Sequence, residues 1–111
     1  MPEVVYQAVL DDDTPLPPGG QAESSWIDVN GARAVQLMFY INNSDPEVRW
    51  FLYFGTSTNG GYLTNYGTFQ GDNIVAIAVP VFAPSVFLRL QNNGTQNWTT
   101  GGKIYFIRDV P

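Results

Sequence analysis

Apolar residues come in short runs along this chain, and in several runs they alternate one-for-one with polar ones. Val35, Leu37, Phe39 and Ile41 fall on one side of an extended backbone, with Ala34, Gln36, Met38 and Tyr40 on the other. Val86, Leu88 and Leu90 oppose Phe87, Arg89 and Gln91 in the same way, and Ile104, Phe106 and Arg108 oppose Tyr105 and Ile107. A period of two marks a strand buried on one face. The runs cover residues 3–10, 25–29, 33–42, 48–56, 61–69, 73–81, 86–91 and 103–109, and Val, Ile, Phe, Tyr and Trp are common in them. Those side chains suit a pleated, half-buried surface. No window spaces its apolar residues by three and four for long enough to predict a helix.

Turn-forming residues separate the runs at about the 8–12-residue interval of sandwiches and barrels. Asn30-Gly31 is the strongest short hairpin signal. Asn42-Asn43-Ser44-Asp45-Pro46, Asn93-Gly94 and Gly101-Gly102 are further breaks, and Pro80 and Pro84 bracket a connection. The expected fold is therefore all-β: one antiparallel β-sandwich spanning residues 1–111, built as an eight-stranded jelly roll. A seven-stranded immunoglobulin-like sandwich is the main rival, although the Cys…Trp…Cys spacing of that fold is missing.

One stretch breaks the rhythm. Asp11-Asp12-Asp13-Thr14-Pro15-Leu16-Pro17-Pro18-Gly19-Gly20 is polar and proline-rich, and it predicts a stiff linker over residues 11–20. It is either a plain surface loop or the hinge of an arm. On the second reading residues 1–10 form an exchange strand, with Val4, Val5, Tyr6, Val9 and Leu10 as its assembly contacts.

Composition narrows the function. Only 14% of residues are charged and the formal net charge is −5, with five Lys and Arg in all. Nucleic-acid binding needs a basic footprint, which this chain lacks. There is no Cys, so neither a disulfide nor a thiol nucleophile is available, and there is no His. The His absence removes Ser–His and Cys–His catalysis and the usual zinc sites. The glycine pairs Gly60-Gly61 and Gly101-Gly102 lack the frame of a phosphate-cradling loop. No catalytic residue, metal ligand or cofactor is assigned, and the chain is expected not to be an enzyme. Asp28, Asp45, Glu47, Asp72 and Asp109 sit mostly near turns, where such side chains bond local backbone, rather than forming a glycosidase-like pair. Asp11–Asp13 read as a solvated acidic loop before a calcium site. Met1-Pro2-Glu3 opens no signal peptide and no run approaches the ~18 apolar residues of a membrane span. The expected destination is thus a virion or extracellular assembly, reached without a signal peptide, and no membrane insertion.

The aromatic residues are the remaining feature that points to a partner. Trp26 and Trp50 lie inside apolar runs and are expected in the core. Trp98, Tyr62 and Tyr66 stand in polar segments, Asn92–Thr99 and Thr58–Tyr66, and are the candidate contacts for a glycan or another subunit.

The segment Ser24-Ser25-Trp26-Ile27-Asp28-Val29-Asn30-Gly31-Ala32-Arg33-Ala34-Val35 resembles the second and third strands of small phage-type β-sandwich proteins. Val86–Gly94 with Gly102–Phe106 resembles their closing hairpin. Such domains serve as virion decoration, tail or fibre modules, and related sandwiches occur in galactose-binding-like modules. The resemblance implies a building block or adhesive module. The leading expectation is a non-enzymatic subunit that self-assembles as a homo-oligomer, a polymer or with other virion proteins. The alternative is a carbohydrate-binding module using loop aromatics.

Overall fold

Because the alternating runs are apolar on one face only, their strands can bury those faces by stacking as two layers. The computed structural model, which describes residues 1–56 and 59–109, has that arrangement and no helix among those residues. In chain order the strands are β1 (Pro2–Leu16), β2 (Gln21–Glu23), β3 (Ile27–Asp28), β4 (Ala34–Ile41), β5 (Asp45–Thr56), β6 (Asn59–Phe69), β7 (Ile74–Pro80), β8 (Ser85–Asn92) and β9 (Trp98–Asp109). One sheet has the order β1-β9-β4-β7. The other has β2-β8-β5-β6, with β3 also on β8. All pairings are antiparallel. Since β2 and β3 follow one another along the same neighbour, they are two halves of one broken strand. Eight strand positions result, in jelly-roll order. The rod measures 48 × 25 × 20 Å.

The alternation read from the sequence is the alternation of burial. Val35, Leu37, Phe39 and Ile41 are buried, as are Val86, Leu88 and Leu90 and then Ile104 and Phe106. Phe54 and Phe69 complete the interior from the second sheet. Trp50 joins them, its ring 5.3 Å from that of Phe39. Gly67 lies under the indole, where an added Cβ would come within 2.8 Å of Nε1. Close approach, not backbone freedom, requires glycine there.

Four expectations need correction. Residues 11–16 are strand, not linker, and the spacer shrinks to Pro17-Pro18-Gly19-Gly20. The acidic run is absorbed as a bulge. Between Leu10↔Gly102 and Thr14↔Thr100, β1 advances four residues while β9 advances two. Asp13 takes φ 62° and the Thr14 hydroxyl donates to Asp11 O at 2.6 Å, closing the bulge. Pro15 is tolerated because β1 is an edge strand, and Leu16 beyond it is fully buried. The last strand likewise starts at Trp98, ahead of the expected 103.

Asn30-Gly31 does make a turn, with Gly31 at φ 89°, but it is no hairpin. It carries the chain from β3 in one sheet to β4 in the other. Finally, Trp26 is not in the core. The chain between β2 and β3 leaves the ladder, and buried Ser24 repairs it: its N–H donates to Leu88 O and its Oγ accepts from Leu88 N, both at 2.9 Å. That detour turns Trp26 onto the outer face of the second sheet. There it packs on Phe87 at 5.2 Å, over Gly55 and Gly61.

Candidate functional site

The outer face of the β1-β9-β4-β7 sheet carries what the core does not use. The strand register places its side chains in rows. Tyr6, Tyr105, Gln36 and Ala78 form one row, and Ala8, Lys103, Met38 and Ala76 the next. In the third, Tyr40 pairs with Gly101 and Ile74. Small residues at 76, 78, 101 and 102 leave low ground between larger neighbours. The result is a groove of about 670 Å³, walled by Tyr6, Tyr40, Tyr105, Met38, Gln36, Lys103 and Asp12.

Three interactions shape it. The Tyr6 and Tyr105 rings meet edge to face at 6.3 Å, and Lys103 Nζ lies 5.2 Å from the Tyr6 centroid. At the other end the Tyr40 hydroxyl donates to Asp12 Oδ1 at 2.8 Å. The β1 bulge delivers Asp12 to that position. Gly101 lets the bond pass over the backbone, since a Cβ there would lie 2.7 Å from both oxygens.

The hydrogen bond to Asp12 raises the Tyr40 pKa above its ordinary 10.0, with burial and the charges of Asp12 and Asp13 adding to the effect. A phenol whose folded pKa is raised stabilises the fold while neutral. This contribution is complete below about pH 10 and is lost as pH climbs through the folded value. Tyrosinate absorbance during an alkaline titration should show one late-ionising phenol, and Asp12→Asn should bring it earlier. An unchanged titration in that variant would contradict the geometry.

The residues proposed from sequence divide. Val4 and Tyr6 are 63% and 66% exposed on β1, whereas Val9 and Leu10 are buried in the chain's own core and Val5 packs against it. Tyr62 and Tyr66 project from the edge strand β6, 82% and 72% exposed. Thr58 of their segment lies outside the described residues. Trp98 is not on a loop. It is the first residue of β9, half-buried against the core, and its Nε1 donates to Asp45 Oδ2 at 2.8 Å. Neither Trp98 nor the two tyrosines lines the groove on the outer face of the first sheet.

Three of the five carboxylates considered for a catalytic pair serve turns. Asp28 accepts from Asn30 N, Asp45 from Glu47 N and Asp72 from Ile74 N. Sequence reasoning missed the groove, whose only local signal is the spacing of Ala76, Ala78, Gly101 and Gly102. The second sheet's outer face holds Arg89 at 5.5 Å from the Tyr53 ring and 5.7 Å from Phe87, with Glu23 3.6 Å away.

No family model matches the chain, and no curated protein sequence does. Solved structures share its fold. The Yersinia pseudotuberculosis-derived mitogen matches with a TM-score of 0.52 at 10% identity, over 100% of this chain and 91% of that one. The VP2 subviral particle of infectious bursal disease virus matches at 0.54 and 15%, over 96% and 33%. Bacillus endospore appendages, described as a family of disulfide-linked pili, match at 0.53 and 17%, over 97% and 88%. The chain spans about a third of the VP2 chain. Identities this low establish a common all-β sandwich and leave activity and partners open. At the level of fold they agree with the resemblance to β-sandwich structural modules.

Proposed function

We propose that this protein is a non-enzymatic structural subunit that adds copies edge to edge through the β1-β9-β4-β7 sheet, building a particle or filament in a virion or outside a cell. The observation that carries this reading is β7. Ile74–Pro80 is a seven-residue edge strand with no charge, no bulge and no proline before its last residue. Native sheets normally blunt such an edge. At the opposite edge of the same sheet, Pro2–Ala8 of β1 is also regular over seven residues, before the bulges begin. The two edges match in length. Pairing β1 of one copy with β7 of the next is head-to-tail, and a head-to-tail contact propagates into a ring or a filament. Val4 and Tyr6 then act in assembly from the edge, while Val9 and Leu10 stay in their own core. Similarity in fold to a subviral particle and to pili supports a building-block role. This chain has no Cys, so no disulfide joins its copies.

Val4→Lys with Ile74→Lys places an ammonium on each edge at exposed positions outside the groove. Wild-type protein should sediment as oligomers and show rings or fibres by negative-stain electron microscopy. The double variant should remain monomeric at about tenfold higher concentration or more, with an unchanged circular dichroism spectrum. Wild-type protein that stays monomeric at high concentration, or a double variant that still assembles, would end this reading.

A further inference from the structure

We infer that the groove across the outer face of the β1-β9-β4-β7 sheet binds a neutral oligosaccharide, with Tyr105 and Tyr6 as ring platforms and Gln36, Lys103 and Asp12 as hydrogen-bonding groups. This site is distinct from Trp98, Tyr62 and Tyr66, and it shares Tyr6 with the assembly edge.

The choice of occupant follows from charge and shape. Among the described residues, the Gln36 amide, the Lys103 ammonium and the second carboxylate oxygen of Asp12 face the groove with no hydrogen bond or ion pair to the protein. One cation and one anion share the groove, so an occupant of either sign would meet a like charge. A neutral ligand rich in both donors and acceptors satisfies all three groups, which a purely apolar one would leave desolvated and unpaired. The lining between them is apolar: Met38, Ala76, Ala78 and the tyrosine faces. A sugar ring combines these needs, since its C–H face packs on an aromatic face while its hydroxyls bond outward. Four strands about 4.8 Å apart give a groove about 14 Å across, which suits a short oligosaccharide rather than a single ring. The platform is rigid, because the low residues belong to paired strands and the Tyr40–Asp12 bond fixes one wall.

The probes are cellotetraose, maltotetraose and mannotetraose, titrated into isotopically labelled Val4→Lys/Ile74→Lys protein and followed by amide chemical shifts. Using the edge variant keeps failure of this inference separate from failure of the assembly reading. At least one tetrasaccharide should bind in the millimolar range or tighter, with shifts centred on residues 36–40, 76–78 and 102–105. Tyr105→Ala and Gln36→Ala should each weaken binding about tenfold or more, while Tyr66→Ala should leave it unchanged. Lys103→Gln keeps a donor and should lose less than Tyr105→Ala. Absence of binding by all three sugars overturns the inference. So do shifts centred on Tyr62 and Tyr66, unchanged affinity in folded Tyr105→Ala, or groove shifts that follow protein concentration without sugar, which would mean a second copy occupies it.

Discussion

Phe39→Ala should cost about 3–5 kcal/mol of folding stability and lower the Tm by on the order of 15 °C. Phe39 stands on the inward face of β4 and is fully buried. Its ring reaches across to the other sheet, 5.3 Å from Trp50 and 6.1 Å from Phe69, edge to face in both cases. It therefore contributes apolar burial and the contact that joins the two layers. Close packing surrounds it: a Cβ on Gly102 would come within 2.8 Å of the Phe39 Cβ. Backbone held so near cannot collapse far into the space the ring leaves, so most of the cavity penalty should persist. The neighbouring residue supplies the control. Met38 points to the opposite face and is 57% exposed, so Met38→Ala should change stability by about 0.5 kcal/mol or less. Urea unfolding followed by tryptophan fluorescence measures both. Equal costs at 38 and 39 would be incompatible with a sheet whose sides alternate between core and solvent.

That contrast also shows how much the sequence discloses. Where one face is apolar and the other polar, as in β4 and β8, alternation reveals both the strand and its orientation. It fails where a side chain does the backbone's work. Asp11–Asp13 look like linker because three carboxylates and a proline cannot alternate, yet a bulge absorbs them and returns Leu16 to the core. Ser24 looks like loop because nothing local reveals that its hydroxyl will meet Leu88 N. Trp26 sits in an apolar run and still turns outward, because two glycines on the neighbouring hairpin, Gly55 and Gly61, make room for it outside. The site is harder still. Its walls come from residues 6, 12, 36, 40, 103 and 105, which only the register of three strands brings together. Edge exposure is equally invisible, since β7 reads like any interior strand until its place in the sheet is known.

Asn92 is the other residue of this kind, and its replacement should be almost as damaging as that of Phe39. It ends β8, fully buried, with every side-chain group engaged. The amide donates to Leu16 O at 3.0 Å and Gln96 O at 2.7 Å, and the carbonyl accepts from Gly94 N at 2.9 Å. Its backbone bonds Gly19 and Gly20 as well. One side chain thus ties the end of β1 to the loop that leads into β9. Asn92→Leu has similar volume and removes all three side-chain bonds. The buried Leu16 carbonyl left without a partner should cost about 1–3 kcal/mol, and the part-buried Gln96 and Gly94 groups, nearer to water, should add less, for about 2–4 kcal/mol together. Asn92→Asp makes a sharper test because it keeps the acceptor for Gly94 and reverses the amide's role. Its carboxylate would face two carbonyl oxygens in a dry site, which pushes the introduced group's pKa up and favours its protonated form, able to donate to one of them. A raised folded pKa means stability is retained at low pH and lost as pH rises through that value. Asn92→Asp should therefore be the less stable variant at neutral pH and should recover towards wild type in mild acid, while Asn92→Leu shows no such recovery. Parallel pH dependence of the two variants would mean that the amide is not donating to Leu16 and Gln96.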